Sequence, residues 1–364
     1  MKSKLFIKIF PVVLLCYHLL FAYVGWNYVI HNDGDAIRYW LVGQDLSQVS
    51  WSSFFQPGTD MVKILTFPLV KYLHLPFWAG FLLFSLFSYY GFYRLWKLIL
   101  SITAPPQLAF YIGVFLLLLP NLHIWTSLIG KESLLFVALV FMTEKVYEKK
   151  IKSAVFIMSF LLVALIRPHV ATMLLIALII AYFWKGNLTL KNKISFGAVS
   201  AVALAGMYLV VKKIAYIRND PWERITHVYD YHIKVLKTTP AYVPLDEYSL
   251  PLKIFTFYFR PLPLEKEGML YLIQGLENLT MLGLTIFLFY VMVVNFRSIK
   301  WDFYKIFTIF AVVLLAVMYV YAYANYGLIA RTKIMAMPFL YIFMVRIFSE
   351  NRVVRQDLKT EDPL

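Results

Sequence analysis

Apolar residues along this chain gather into long runs that are separated by shorter polar segments. The first run, from Ile9 to Ile30, contains 22 residues without a charge. A helix that crosses the hydrocarbon core of a bilayer needs about 20 residues. The pattern predicts an all-α, polytopic membrane protein with about ten transmembrane helices. The predicted spans are roughly 9–30, 76–96, 107–124, 133–147, 153–166, 169–184, 194–211, 278–295, 304–323 and 334–348.

The segment 153–184 admits two interpretations, a single tilted helix or a hairpin of two short helices. Arg167-Pro168-His169 lies at its centre, where proline removes a backbone hydrogen bond and a mid-bilayer arginine is costly. A hairpin with a cytoplasmic N terminus places 19 of the 35 lysines and arginines in inner segments. A single helix would move the basic segments 185–193 and 297–305 outside. Since cytoplasmic loops are rich in basic residues, the bias favours ten spans and both termini in the cytoplasm.

Composition agrees with this class and bears on the domain organisation. Hydrophobic residues make up 61% of the chain and charged residues 15%, and the mean hydropathy is +0.69. The net charge of +15 comes from several short basic loops, which indicates membrane orientation and anionic lipid rather than nucleic-acid binding. No sequence repeat or flexible linker divides the chain. We therefore expect a single transmembrane domain, 1–364, with an outer loop at 31–75 and a larger outer loop or cap at 212–277.

Polar residues that membrane orientation does not require collect on the predicted outer face. Charges at membrane depth are expensive, so the set favours a functional cleft, although single members also suit ion pairs between helix ends. The set consists of Asp33, Asp35, Arg38, Lys131, Glu132, Arg167, His169, Arg260, Glu265, Glu277, Arg331 and Lys333.

The loop at 31–75 mixes aromatic and polar residues. Trp40 to Phe55 and Met61 to Leu75 are both amphipathic, and a turn at Gln56-Pro57-Gly58 separates them. Tryptophan and tyrosine favour the headgroup level of a bilayer, so these stretches predict helices that lie along the outer interface. The alternative is a hydrophobic loop that packs on the helix bundle.

An acidic segment from Asp33 to Tyr39 directly follows the first predicted span. In this position it resembles the GT-C superfamily of integral-membrane glycosyltransferases, in which an aspartate, a second acid and an Arg-Tyr pair follow the first span. Asp35, Arg38 and Tyr39 match that spacing, and Ala36 stands in place of the second acid. A role that needs paired acids, including metal binding, therefore requires Asp33 to substitute.

Later segments resemble bacterial GT-C-like polysaccharide proteins and occur in the same order. The likeness covers most of the chain and reaches the level of the superfamily. These segments are Pro120–Ser127, Gly130–Ser133, Leu165–His169, Phe259–Glu265, Glu277 and Asn325–Lys333.

The resemblance implies an inverting glycosyltransferase of surface polysaccharide biosynthesis in the inner membrane. It would take sugar from a polyprenyl-phosphate or polyprenyl-diphosphate carrier on the outer leaflet, for a glycan or lipid-linked acceptor, as a single sugar or a repeat unit. Asp35 is the expected catalytic base and Asp33 its helper. The sequence indicates no cofactor and no metal, and a divalent metal stays open. Expected contacts to substrate or phosphate come from Arg38, Tyr39, Arg167, His169, Arg260, Glu265, Glu277, Arg331 and Lys333.

The late loop at 212–277 combines aromatic rings with acids and histidines, a mixture that suits either sugar recognition or a packed cap. His227 and His232 are five residues apart, so they do not share a helix face as zinc ligands do. The chain also lacks the glycine-rich signatures of nucleotide binding. A sugar nucleotide is therefore not the expected donor.

Three alternatives stay open. The first is an O-antigen-type polymerase or ligase of a different polytopic fold, which does not place its base after the first span. The second is a flippase or transporter of lipid-linked oligosaccharide, which predicts mid-bilayer charges and internal repeats that this sequence lacks. The third is a scaffold within a polysaccharide-synthesis complex, since Ala36 weakens the catalytic motif.

Overall fold

The computed structural model of the protein describes residues 2–103, 107–186, 189–214, 230, 231 and 233–350. Across these residues the regular structure is helical and no strand forms, which confirms the all-α prediction for this part of the chain. Tyr242 and Asn325 make an isolated antiparallel bridge. The helices are α1 Lys2–His31, α2 Asp35–Tyr39, α3 Val62–Lys71, α4 Phe77–Ile102, α5 Leu108–Leu117, α6 Pro120–Thr126, α7 Lys131–Tyr147, α8 Ala154–Ile166, α9 Pro168–Lys185, α10 Leu190–Ile214, α11 Leu250–Phe259, α12 Met269–Val294, α13 Phe303–Val320, α14 Tyr326–Lys333 and α15 Met337–Glu350, with 3-10 turns at Trp51–Phe54, Thr59–Met61 and Leu245–Glu247.

Several of these helices have the length and apolarity that a membrane span requires. Five qualify in the described residues: α1 from Lys4, the stretch Leu108–Thr126, α9, α12 and α13. The pair α14 and α15, bent by 60°, makes a sixth if the two form one broken span. These helices are compatible with a multi-pass membrane protein. The other predicted spans coincide with α4, α7, α8 and α10, which do not meet both requirements; α8, for example, has 13 residues.

Local sequence signals explain where α8 and α9 end and begin. Ser153 precedes α8, and its hydroxyl accepts a hydrogen bond from the backbone N–H of Phe156 at 3.3 Å. Such a cap satisfies a donor that the first turn of a helix leaves without a partner. Pro168 begins α9, and the preceding Arg167 is non-helical, with φ −139° and ψ 77°. Proline disfavours a helical conformation at the residue before it, so α8 and α9 are separate helices.

Two helices include residues that the sequence analysis assigned to outer loops. α12 begins at Met269, well before the predicted span 278–295, and Glu277 is a helical residue with 8% exposure. Gln274, Glu277 and Asn278 share one helix face, and Glu277 and Asn278 are buried, so these polar residues do not interrupt the helix. The predicted loop 212–277 also contains α11.

Arg331 and Lys333 likewise belong to a helix rather than to a short loop. Both lie in α14, which Asn325 caps by accepting hydrogen bonds from the backbone N–H groups of Gly327 and Leu328 at 2.9 and 3.2 Å. Asparagine at this position favours a helix start, because its side chain replaces missing backbone partners. Asparagine at position 325 is visible in the sequence, so the start of this helix could have been predicted from it.

The chain divides into two compact units. Unit 1 comprises Met1–Leu100 and Val114–Ala171, and unit 2 comprises Ser101–Gly113 and Thr172–Leu364. In unit 1, α7 packs along α8 and against α6, α6 packs against α1, and α3 packs against α2 and the short helices of the first loop. In unit 2, α11 packs against α12, α13 and α14, and α15 packs against α12 and α13.

A close approach between a tryptophan and a glycine holds α2 in unit 1. Trp40, directly after α2, is 2% exposed. A Cβ atom at Gly80 of α4 would lie 2.5 Å from the Trp40 ring, so only glycine leaves room for this contact. On the other side, the Thr66 hydroxyl of α3 donates a hydrogen bond to the Tyr39 carbonyl at 2.5 Å. These contacts fix α2 to both α3 and α4.

Candidate functional site

The early acidic segment forms α2, a helix of five residues. Asp35 and Arg38 of this helix are exposed, and so is Asp33 before it. Ala36 and Tyr39 are buried. Tyr39 therefore lies in the core, and the Arg38 guanidinium lies over its ring, 5.3 Å from the ring centroid.

Arg38 is held by an acid that the sequence analysis did not single out. Its guanidinium donates hydrogen bonds to the carboxylate of Asp60 at 3.0 Å and to the hydroxyl of Thr59 at 3.3 Å. Lys63 donates to the same carboxylate at 3.3 Å. The side chains of Arg38 and Asp60 are about half exposed, so water screens their attraction. The pair orients Arg38 more than it stabilises the fold.

Tyr39 connects α2 to α7. Its ring is fully buried, and its hydroxyl accepts a hydrogen bond from the ammonium group of Lys131 at 3.4 Å. Lys131 is the first residue of α7 and is itself 9% exposed. Exposed Asp35 and buried Lys131 are thus connected through Tyr39, which lies one helical turn after Asp35 in α2.

The next residue of α7 forms a buried ion pair. Glu132 accepts a hydrogen bond from Arg167 at 2.9 Å, and their side chains are 4% and 6% exposed. Gly130 leaves room for this carboxylate, because a Cβ atom there would lie 3.3 Å from Oε2 of Glu132 and 3.6 Å from the Tyr39 ring. Charges removed from water to this extent are stable only when their partners are well placed.

His169 completes this group in unit 1. It lies in the first turn of α9, close enough to Arg167 and Lys131 for their charges to act on its imidazole. We call these residues the buried cluster: Tyr39, Lys131, Glu132, Arg167 and His169. Within it, the cations Lys131 and Arg167 lie close to the carboxylate of Glu132 and the imidazole of His169.

A second polar group lies in unit 2, around the residue that follows α11. The Nε of Arg260 donates to both carboxylate oxygens of Glu265 at 3.0 Å, and Nη1 donates to the Tyr248 hydroxyl at 3.1 Å. Glu265 also accepts from the Tyr326 hydroxyl at 3.3 Å and from the backbone N–H of Leu262 at 3.0 Å. We call Arg260, Glu265, Tyr248 and Tyr326 the open cluster, because the Arg260 and Glu265 side chains keep 22% and 26% exposure.

The electrostatics of the open cluster favour a permanently charged arginine. Partial burial alone lowers the pKa of the Arg260 guanidinium. The hydrogen bonds to Tyr248 and Glu265 and the charge of Glu265 act in the opposite direction and outweigh burial, so the net pKa is raised. Arg260 is therefore a cation at every physiological pH.

The other predicted residues of unit 2 are tied into its helices. Lys333 is 4% exposed and donates to the Asn278 side-chain oxygen at 2.5 Å and to the Tyr258 carbonyl at 3.1 Å. Glu277, on the neighbouring position of α12, acts electrostatically on Lys333. Arg331 is partly exposed. Lys333 therefore links α14 to α11 and α12.

The structure thus brings the sequence-predicted residues together in two separate groups. Tyr39, Arg167 and His169 join Lys131 and Glu132 in unit 1, whereas Arg260 and Glu265 meet in unit 2. Within 220–232 of the late loop, Asp230 and Tyr231 are described, and both are exposed. Asp220, Trp222, Glu223, Arg224, His227, Tyr229 and His232 lie outside the described residues. Over the part of the chain that the structure describes, no three histidine, cysteine or acidic side chains gather closely enough to hold a metal ion.

Tyr248, Tyr326 and Asp60 are the site residues that sequence reasoning missed. Tyrosines are common in this chain, 26 in all, so neither tyrosine stood out from the others. Asp60 did carry a signal, since Lys63 follows it by three residues, the spacing of a helical ion pair.

Comparison with known proteins adds no relative: no family model, no curated protein and no solved structure matches this chain.

Proposed function

We propose that this protein is an inverting integral-membrane glycosyltransferase of surface polysaccharide biosynthesis, with a polyprenyl-phosphate- or diphosphate-linked sugar as donor. The observation that carries the proposal is the connection made by α2. Asp35 is exposed at one end of this helix, and Tyr39 at the other end accepts a hydrogen bond from buried Lys131. Four residues of helix separate the two by about 6 Å along the axis, so an acid and an anion-attracting cluster lie side by side.

In this proposal Asp35 accepts the proton of the acceptor hydroxyl while that oxygen attacks the anomeric carbon of the donor sugar. The bond from that carbon to the carrier phosphate breaks, and the phosphate leaves with the electron pair. Exposure lets Asp35 reach an acceptor, and Asp33 assists it. Lys131 and Arg167 of the buried cluster attract the phosphate charge, with His169 beside them.

The proposed membrane arrangement keeps ten spans in the inner membrane, with both termini in the cytoplasm and the site at the outer leaflet. Exposed aromatic residues of the first loop support an interfacial location for it: Trp51 is 42% and Phe55 60% exposed. A carrier lipid in that leaflet would reach the site from the side. The acceptor is a glycan or a lipid-linked glycan.

Substitution of Asp35 tests the proposal. The purified full-length protein is assayed with radiolabelled sugars on farnesyl phosphate and farnesyl diphosphate, with lipid-linked glycan as acceptor. Asp35→Asn should lower turnover by about 10²–10⁴-fold, the usual effect of removing a general base. Asp45→Asn, an exposed acid of the same loop, is the matched control and should keep turnover near wild type.

Two results would contradict the proposal, one for the catalytic base and one for the function. Transfer that survives in Asp35→Asn would place the base elsewhere. Movement of the intact lipid-linked sugar across a vesicle membrane without bond cleavage would assign the protein to the flippases instead.

A further inference from the structure

Two histidines meet in the interior of unit 1, and the proposed transfer reaction uses neither of them. His18 lies near the middle of the candidate span Lys4–His31, and His123 lies in α6. Both side chains are 0% exposed, and their Nδ1 atoms are 2.9 Å apart, within hydrogen-bond distance. Ionisable side chains inside a membrane domain are rare and costly, and those that occur there commonly take part in binding or in proton relays.

The histidine pair is the centre of a line of four hydrogen-bonding contacts. At one end, Nε2 of His123 is 2.7 Å from the Leu117 carbonyl oxygen. At the other end, Nε2 of His18 is 2.8 Å from the Ser88 hydroxyl, which in turn is 3.2 Å from the Ser85 carbonyl oxygen. Both terminal atoms are backbone oxygens, which can only accept hydrogen bonds. Protons for all four contacts must therefore come from the two imidazoles and the one hydroxyl.

The proton count along this line shows that the neutral form is one proton short. A neutral imidazole carries one N–H and a serine hydroxyl carries one O–H, so three protons serve four contacts. Because His123 gives its proton to the Leu117 carbonyl, His18 must fill the contact between the rings from its own Nδ1. Nε2 of His18 then accepts from the Ser88 hydroxyl, which has no second proton for the Ser85 carbonyl.

We propose that this line of side chains is a binding site for one proton, which His18 and His123 hold between them. The lone pair on Nε2 of His18 takes up a proton from acidified solvent, and the Ser88 hydroxyl turns its own proton to the Ser85 carbonyl. Every contact then has one donor and one acceptor. A second proton would set N–H against N–H between the rings, so the site takes one proton although it contains two imidazoles.

The surroundings of the pair suit a cation that the two rings share. The Phe92 ring of α4 is stacked on His123, with ring centroids 4.1 Å apart and an interplanar angle of 7°, and an aromatic face attracts positive charge. Tyr17 of α1 and Tyr89 of α4, the tyrosines next to this line in sequence, donate their hydroxyl protons to backbone carbonyls. Among the described residues, no carboxylate acts electrostatically on either imidazole. The hydrogen bonds of the line must therefore stabilise the bound charge.

Nitrogen NMR of the purified full-length protein, isotope-labelled in its histidine rings, tests the inference by titration from about pH 8 to about pH 3. His18→Asn and His123→Asn assign the ring signals. At the start, His18 should carry its proton on Nδ1 and His123 on Nε2. Acidification should add one proton to the pair in each molecule, while circular dichroism shows that the protein is still folded.

A serine substitution tests the part of the line outside the two rings. Ser88→Ala removes the hydroxyl that accepts from Nε2 of charged His18, so the midpoint of proton uptake should fall by about one pH unit, because charge-assisted hydrogen bonds are the stronger ones. Ser85→Ala is the matched control. Its hydroxyl donates to the Ser127 carbonyl at 2.8 Å, and its own backbone carbonyl is retained, so the midpoint should stay within about 0.3 units.

Four results would overturn this proton site. They are ring signals that do not change over the titration, two imidazolium rings in each molecule, equal midpoints in Ser88→Ala and Ser85→Ala, and unfolding before any imidazolium forms. The inference does not rest on the proposed transfer reaction. Its failure would therefore leave that reaction untouched, and loss of transfer in Asp35→Asn would say nothing about the histidines.

Discussion

Arg167 with Glu132 in unit 1 and Arg260 with Glu265 in unit 2 form ion pairs of nearly equal length, 2.9 and 3.0 Å. Their surroundings differ, because the first pair is 6% and 4% exposed and the second is 22% and 26% exposed. A buried pair becomes an uncompensated charge when one partner is removed, whereas water screens an open pair. The comparison teaches that the same two residue types form an ion pair that is sealed from water in one unit and one that stays in contact with water in the other.

The largest effect is expected from breaking the buried pair. Glu132→Gln removes the carboxylate that compensates the buried charge of Arg167. The free energy of unfolding should therefore fall by about 3–5 kcal/mol. Detergent-solubilised protein, unfolded by titration with sodium dodecyl sulfate, gives the measurement. Glu265→Gln is the matched control and should cost about 1 kcal/mol or less. Equal losses in the two variants would contradict the distinction between the pairs.

Replacement of Arg260 by lysine tests the comparison through a measurement of ligand binding. An ammonium group that contacts Glu265 cannot also present a planar donor edge, so Arg260→Lys should weaken farnesyl phosphate binding about tenfold, or about 1.4 kcal/mol. Stability should hardly change. Wild-type affinity in this variant would mean that charge alone suffices and that the guanidinium geometry is irrelevant.

A third ion pair, between Asp302 and Arg346 in unit 2, adds a pH-dependent test. Burial raises the pKa of the Asp302 carboxyl, but hydrogen bonds from Arg346 and the backbone N–H of Lys305 outweigh it and hold the pKa below the ordinary 3.8. Because the folded-state pKa is lowered, the stabilisation is present above 3.8 and is lost as the pH falls through the folded-state value. Asp302→Asn keeps the helix cap but loses the ionised carboxylate, so it should be less stable than wild type above pH 3.8, and the difference should shrink as the pH falls below that value. A stability difference that stays constant down to about pH 3 would exclude this linkage.

The smallest effect on stability is expected for Arg38 and Asp60. Their side chains are 52% and 49% exposed, so Asp60→Asn should change the free energy of unfolding by less than about 1 kcal/mol. Turnover should fall even though stability hardly changes, because Arg38 loses its orientation beside Asp35. If both quantities stay at wild-type values, Arg38 takes no part in the site.

Helix positions were the most predictable feature, because long apolar runs and proline breaks act locally. The separation of α8 from α9 at Pro168 and the apolar helices α1, α9 and α13 all follow from the order of residues alone. The partners of side chains did not follow in the same way. Asp60 meets Arg38 across 22 positions, and Arg167 meets Glu132 across 35, so these contacts depend on how helices pack.

The start of α12 shows a second limit of sequence reasoning. Glu277 was interpreted as the end of a polar loop and Asn278 as the first residue of a span, yet both are buried in a helix that begins at Met269. Lys333 donates a hydrogen bond to Asn278 and interacts electrostatically with Glu277, and no local sequence pattern predicts this distant partner. Tyr248 and Tyr326 were missed for a similar reason, since only the direction of their hydrogen bonds separates them from the other tyrosines.

The contact between Trp40 and Gly80 has a consequence for the order in which the protein is made. Trp40 precedes Gly80 by 40 positions, so α2 emerges during synthesis before the surface on which it docks exists. Lys131 of α7, the hydrogen-bond partner of Tyr39, is synthesised later still. Asp35 therefore reaches its final environment only after α4 and α7 have been synthesised. A nascent chain released before α7 is expected to be inactive.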